Sequence, residues 1–62
     1  MRPLRTCEVK GTIIRHKEVD SVMRIAGSYK GGFLVADLEY KMPFPVQLPF
    51  RNISQWEVLK EG

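Results

Sequence analysis

The residues able to do chemistry in this 62-residue chain are few and scattered. His16 is the only histidine, and so the only ordinary acid–base group for neutral pH. No serine or cysteine lies at a suitable spacing from it. Catalysis needs a base, a nucleophile and an orienting group together. The sequence therefore predicts no catalytic residues and a protein that is not an enzyme.

Metal and cofactor sites have no better support in the sequence. Cys7 is the single cysteine, which excludes an intramolecular disulfide and, with only one histidine, argues against structural zinc. Asp37 and Glu39 share one predicted strand face, but hard cations need several oxygen ligands. The segment GSYKGG lacks the lysine–hydroxyl ending of a phosphate loop. We therefore expect no metal and no cofactor.

The length of the chain bounds its stability and its location. A domain this small buries only about 60% of its unfolded surface, so self-association as a homodimer is one available source of extra stability. No apolar run approaches the length of a membrane span, and the basic N-terminus lacks the apolar stretch of a signal peptide. We expect no contact with a membrane, and a cytoplasmic location in which a free thiol persists.

From Val9 onward the chain has the pattern of short strands joined by turns. The predicted strands are GTIIRHK, SVMRIAG, FLVADLEY, the run Met42 to Phe50, and QWEVL. Gly31-Gly32 predicts a hairpin turn that uses positive φ, and RNIS predicts a short 3₁₀ turn before the last strand. Residues 1–8 are expected to form a flexible or loosely docked arm, and residues 9–60 a single domain.

Three prolines interrupt the fourth predicted strand. In the run Met42 to Phe50 every even position is apolar, while Pro43, Pro45 and Pro49 occupy odd positions. Side chains alternate between faces of a strand and N–H groups alternate between its edges, so the three missing donors lie on one edge. The pattern predicts an edge strand with its even side chains inward and an outer edge unable to recruit another chain.

These elements predict an all-β fold: a small five-stranded antiparallel barrel with a short 3₁₀ turn before the last strand. GTIIRHK and the closing NISQWEVL are similar to the opening strand and the turn-then-strand ending of SH3-like barrels. The resemblance covers residues 11–59 in pattern and implies the fold alone. The peptide-binding aromatics of that family have no counterpart, because no A-L-Y-D-Y-like segment is present.

Six aromatic side chains must be divided between core and surface. Trp56 and Phe44 are predicted core members. Tyr29 and Phe33 flank the Gly31-Gly32 turn and are predicted to be exposed, where they would anchor a partner. The alternative is that they clamp each other across the hairpin.

Basic residues are concentrated near the N-terminus: the first 17 residues carry five basic side chains and one acidic one. If Ile14 faces the core, then Arg15, Lys17 and Arg24 share the outer face of a hairpin. Such a face could hold a nucleic-acid backbone without reading sequence.

The sequence favours a small non-catalytic module that docks on another protein, as accessory proteins of phages and mobile elements do. The alternative is a non-specific nucleic-acid-binding barrel that uses Arg15, Lys17 and Arg24.

Overall fold

A computed structural model describes residues 2–38 and 44–62. All six of its strands belong to one antiparallel sheet in the order β1-β6-β2-β3-β4-β5. A 3₁₀ helix, Phe50–Gln55, leads from β5 into β6. The strands are β1 (Arg2–Pro3), β2 (Ile13–His16), β3 (Val22–Tyr29), β4 (Gly32–Asp37), β5 (Val46–Pro49) and β6 (Trp56–Lys60).

The all-β antiparallel class and the 3₁₀ helix before the last strand are confirmed. The predicted number of five strands is wrong, because Arg2–Pro3 pairs with Glu57 and Val58 of β6 and adds a sixth. Closure into a barrel is not confirmed. Within the described part of the chain, β1 and β5 are the two edges of the sheet and do not pair with each other.

The connection between β3 and β4 is a two-residue hairpin. Tyr29 pairs with Gly32, which leaves Lys30 and Gly31 as the turn. The expected positive φ is wrong, since Gly11 is the only glycine with positive φ in the described ranges. Gly32 has a different requirement: a Cβ built on it would lie 2.8 Å from Cα of Pro49 in the neighbouring strand. The glycine therefore permits close approach of β5.

The core lies on one face of the sheet, which we call the core face; the opposite side is the outer face. Ile14 and Met23 are cross-strand partners on the core face, as are Ile25 and Val35. The 3₁₀ helix adds Phe50 and Ile53 against this cluster. Trp56 is buried, as predicted. The buried apolar cluster comprises Leu4, Ile14, Ile25, Phe33, Val35, Leu48, Trp56 and Val58.

The N-terminal residues lie against the sheet. Leu4 belongs to the buried cluster. Both guanidinium NH groups of Arg2 donate to the Glu8 carboxylate, and Arg2 also donates to Glu61 at 2.6 Å. The Glu8 side chain is only 6% exposed. Its hydrogen bond from Arg2 lowers the pKa of Glu8, against the opposing effect of burial. These contacts connect the start of the chain to its last strand.

Candidate functional site

The two aromatics predicted to anchor a partner lie in different environments. Phe33 is 2% exposed, so its predicted exposure is wrong. It pairs with Leu48 of β5 and packs edge-to-face on Phe50, with 5.3 Å between ring centroids. Tyr29 is half-buried. Sequence alternation did not reveal the burial of Phe33 because β5 and the 3₁₀ helix, both distant in sequence, cover it.

Tyr29 and Phe33 do not clamp each other across the hairpin. Phe33 is opposite Ser28, and Tyr29 is opposite Gly32. Because successive residues of a strand point to opposite faces, the two rings lie on opposite sides of the sheet. The alternative interpretation of this aromatic pair is therefore wrong as well.

Among the aromatic residues that the structure describes, the exposed one is Phe44. Its exposed fraction is 87%, so its predicted place in the core is wrong. Val46, which opens β5 opposite Val35, is 51% exposed. The predicted packing of the even-numbered side chains in the core is found for Leu48 and Phe50. Val46 lies on the core face opposite Val35 but stays exposed there, and Phe44 precedes the strand. The 3₁₀ helix follows the end of β5, whereas Phe44 and Val46 lie at its beginning. The helix therefore leaves these two residues uncovered.

We call these two residues the Phe44–Val46 patch. Leu38, also partly exposed, follows the end of β4, and Phe44 leads into the start of β5. The register places Val35 opposite Val46, so both chain segments meet the same end of the sheet. An exposed aromatic with aliphatic neighbours is a typical anchor for another protein.

The patch borders the proline-bearing edge, and β5 is an edge strand as predicted. The Phe50 N–H donates to the Gly31 carbonyl at 3.0 Å. Alternation then points the N–H groups of Leu48 and Val46 toward β4 and positions 45, 47 and 49 toward solvent. Pro45 and Pro49 have no N–H, so Gln47 carries the one outward donor from Pro45 to Pro49. Pro43 lies outside the described residues.

The three predicted nucleic-acid-binding residues are only partly brought together. Arg15 is opposite Val22 and Arg24 is opposite Ile13, which places both arginines on the outer face as expected. Arg15, however, forms an ion pair with Glu57 at 3.5 Å. Lys17 is exposed just beyond the end of β2. One of the three cations is therefore already compensated by a carboxylate.

His16 has a structural environment. It is opposite Trp56 at the end of β2, and the two rings pack edge-to-face with centroids 5.0 Å apart. Its Nδ1 accepts hydrogen bonds from the backbone N–H groups of Glu18 and Val19, at 3.1 and 3.3 Å. The imidazole therefore stabilises the turn that follows β2.

No cluster of three or more His, Cys, Asp or Glu side chains that could hold a metal occurs within residues 2–38 and 44–62. Cys7 is exposed. Glu39, the predicted companion of Asp37, lies outside the described residues. In the same described ranges, no helix has the length and apolar character needed to cross a membrane.

Comparison with protein-family models, with curated proteins and with solved structures found no match for this chain.

Proposed function

We propose that the chain is a small non-catalytic module that docks on another protein through the Phe44–Val46 patch. The observation that carries this proposal is the 87% exposure of Phe44. Burying a phenylalanine side chain at an interface removes a large apolar area from water, worth about 1.5–3 kcal/mol. A chain with few large side chains in its core leaves this one outside.

The proline-bearing edge determines how such a partner would bind. Partners that add a strand to a sheet edge need a row of outward N–H and C=O groups. From Pro45 to Pro49 the edge offers only the donor of Gln47, so strand addition is disfavoured. The partner would instead receive the Phe44 ring in an apolar pocket, through side-chain contacts. An accessory protein of a phage or mobile element, which occupies the surface of a host protein, would act in this way.

The GTIIRHK and NISQWEVL segments additionally support kinship with SH3-like modules, a class that presents binding surfaces on a small β-fold. The docking proposal does not depend on that kinship, since it is argued from exposed side chains.

The test compares two surface variants as bait in an extract of the native cells. Phe44→Ser removes the anchor, and Val19→Ser removes another exposed apolar side chain, in the turn after β2. Any protein captured by the parent is then purified, and its affinity for each chain is measured by calorimetry. Phe44→Ser should weaken binding about thirtyfold, the effect of losing a hot spot of about 2 kcal/mol. Val19→Ser should bind as the parent does.

A partner held equally well by Phe44→Ser would overturn the assignment of this patch. Self-association through this patch would overturn the proposal that a different protein occupies it. If light scattering shows a dimer of the parent and a monomer of Phe44→Ser, the patch joins two copies of this chain instead of a different protein.

The second candidate function is non-specific binding of nucleic acid. Arg24 favours it, because this outer-face cation forms no ion pair with any described residue. Binding to generic DNA or RNA, measured at two salt concentrations, tests it. A phosphate-driven complex must weaken steeply as salt rises. Absence of binding at low salt would eliminate this function.

A further inference from the structure

A surface depression lies between β3 and the residues that precede β2, on the far side of β3 from the edge strand β5. Its volume is about 450 Å³, and it is lined by Lys10, Gly11, Arg24, Ile25 and Ala26. Lys10 and Gly11 lie shortly before β2, which begins at Ile13, and the other three residues are consecutive in β3. The site therefore joins two chain segments, and it is separate from the Phe44–Val46 patch.

The backbone around the depression is held in place by hydrogen bonds. The Gly11 N–H donates to the Ile25 carbonyl at 2.8 Å, and the Ile25 N–H donates to the Thr12 carbonyl at 2.9 Å. Gly11 has φ of +97°, a conformation that favours glycine. Ala26 is the extra residue of a bulge between β3 and β4, and bulges often re-aim neighbouring side chains. The depression is thus formed before any ligand arrives.

The charge of the depression has one sign. Lys10 and Arg24 bring two cations, and no acidic residue lines it. Neither cation forms an ion pair with a residue in the described ranges. Arg15, on the same outer face, is by contrast paired with Glu57. Two uncompensated cations beside one concavity raise the local concentration of anions.

We propose that this depression binds the phosphate group of a small phosphorylated molecule of nucleoside-monophosphate size. The guanidinium of Arg24 presents the planar donor pair that phosphate oxygens accept, and the Lys10 ammonium adds a point charge. The volume is within the range of small-molecule sites, and half-buried Ala26 supplies an apolar contact for the rest of the ligand, while the Ile25 side chain is buried on the core face.

The test is an NMR titration of the whole chain with inorganic phosphate and, separately, with adenosine monophosphate. Both should shift the amide signals of Gly11 and Ala26, and the nucleotide should bind more tightly because its remainder also contacts Ala26. Arg24→Gln should raise the dissociation constant for adenosine monophosphate about tenfold, as loss of a charge-assisted contact does. Lys10→Gln should raise it severalfold.

Arg15→Gln is the matched control, because it removes the same charge from the same face at a residue already paired with Glu57. It should leave the dissociation constant unchanged within about twofold, since bulk charge contributes little at physiological ionic strength. Amide spectra of all three variants establish that each is folded.

Equal losses in Arg15→Gln and Arg24→Gln would mean attraction by net charge alone, and would overturn the site. Absence of shifts at Gly11 and Ala26 with both phosphate compounds would do the same. A third arm uses a single-stranded oligonucleotide. If it binds through Arg24 while adenosine monophosphate does not, the small-molecule proposal is wrong and the surface is a nucleic-acid interface.

Discussion

Gly32 of β4 lies directly opposite Pro49 of β5, and the two backbones are too close for any side chain on the glycine. A Cβ at Gly32 would also meet the backbone carbonyl of Leu48. Contacts with backbone atoms cannot be relieved by a change of rotamer. The close approach lets β5 cover Phe33, which is opposite Leu48. This glycine thus determines the contact between β4 and the edge strand.

Gly32→Ala should therefore destabilise the fold by about 3 kcal/mol, the upper part of the range for overpacking. Gly31→Ala is the control in the same turn: its Cβ would meet only the Tyr29 ring, at 3.4 Å, and its φ is not positive. It should change stability by less than about 0.5 kcal/mol or raise it slightly. Urea denaturation of both variants measures the difference. Equal denaturation midpoints would show that β5 does not pack here.

Trp56→Ala should cost about 3–5 kcal/mol, as truncation of a large core aromatic does. Trp56 is 8% exposed and packs on the His16 ring, so the substitution removes both core volume and an aromatic contact. Because small domains possess little more stability than this, the variant should lack the dispersed amide spectrum of a folded protein. Trp56→Phe, the control, should fold. A folded Trp56→Ala that only loses a partner would place Trp56 on the surface.

The sequence predicted local structure well and the assignment of side chains to faces less well. The edge position of β5 followed from the spacing of its prolines, because missing donors act on a strand directly. The burial of Trp56 followed from its size. These features depend on the residue itself or on its immediate neighbours.

The burial of Phe33 and the exposure of Phe44 depend on other elements of the fold, which the alternation of residues along one strand does not reveal. Both occur in clean alternating patterns. Phe33 is covered because Leu48 of the adjacent strand lies beside it and Phe50 packs on its ring, whereas Phe44 precedes the start of that strand. The sixth strand was missed for a similar reason: two residues, Arg2–Pro3, carry no periodicity, and their pairing with β6 is a long-range contact. The depression at Lys10 and Arg24 likewise joins segments distant in sequence.

Acid should weaken the attachment of the N-terminal residues through Glu8. The hydrogen bond from Arg2 holds the pKa of Glu8 below its ordinary value of 4.5. A carboxyl whose pKa is lower in the folded than in the unfolded state stabilises the fold at pH values above its unfolded pKa. That contribution is lost as the pH falls through the folded pKa. It is therefore fully present at pH 7.

Glu8→Gln should consequently lower the melting temperature at pH 7, and the difference from the parent should shrink as the solution is made more acidic than pH 4.5. Glu61→Gln removes the other carboxylate that Arg2 contacts, but this side chain is largely exposed and should contribute little. Thermal unfolding followed by circular dichroism over this pH range checks both variants. A Glu8→Gln deficit that stays constant with pH would exclude the ionised pair as its cause.

The last prediction concerns the prolines of β5. Pro45→Thr combined with Pro49→Thr restores two outward N–H donors beside that of Gln47, so the edge regains the row of groups that another strand can pair with. The backbone nitrogens of both residues point away from β4, so the core contacts of Leu48 should remain. The double variant should therefore dimerise or aggregate at concentrations at which the parent is monomeric. Analytical ultracentrifugation over a concentration series measures this.

Gln47→Thr is the control, since it introduces the same β-branched residue on the same edge without adding a donor. If it associates as strongly as the double variant, strand propensity rather than the missing N–H groups governs association. A double variant that stays monomeric wherever the parent does would show that the prolines do not protect this edge. If the double variant associates and Gln47→Thr does not, the absent donors are the cause.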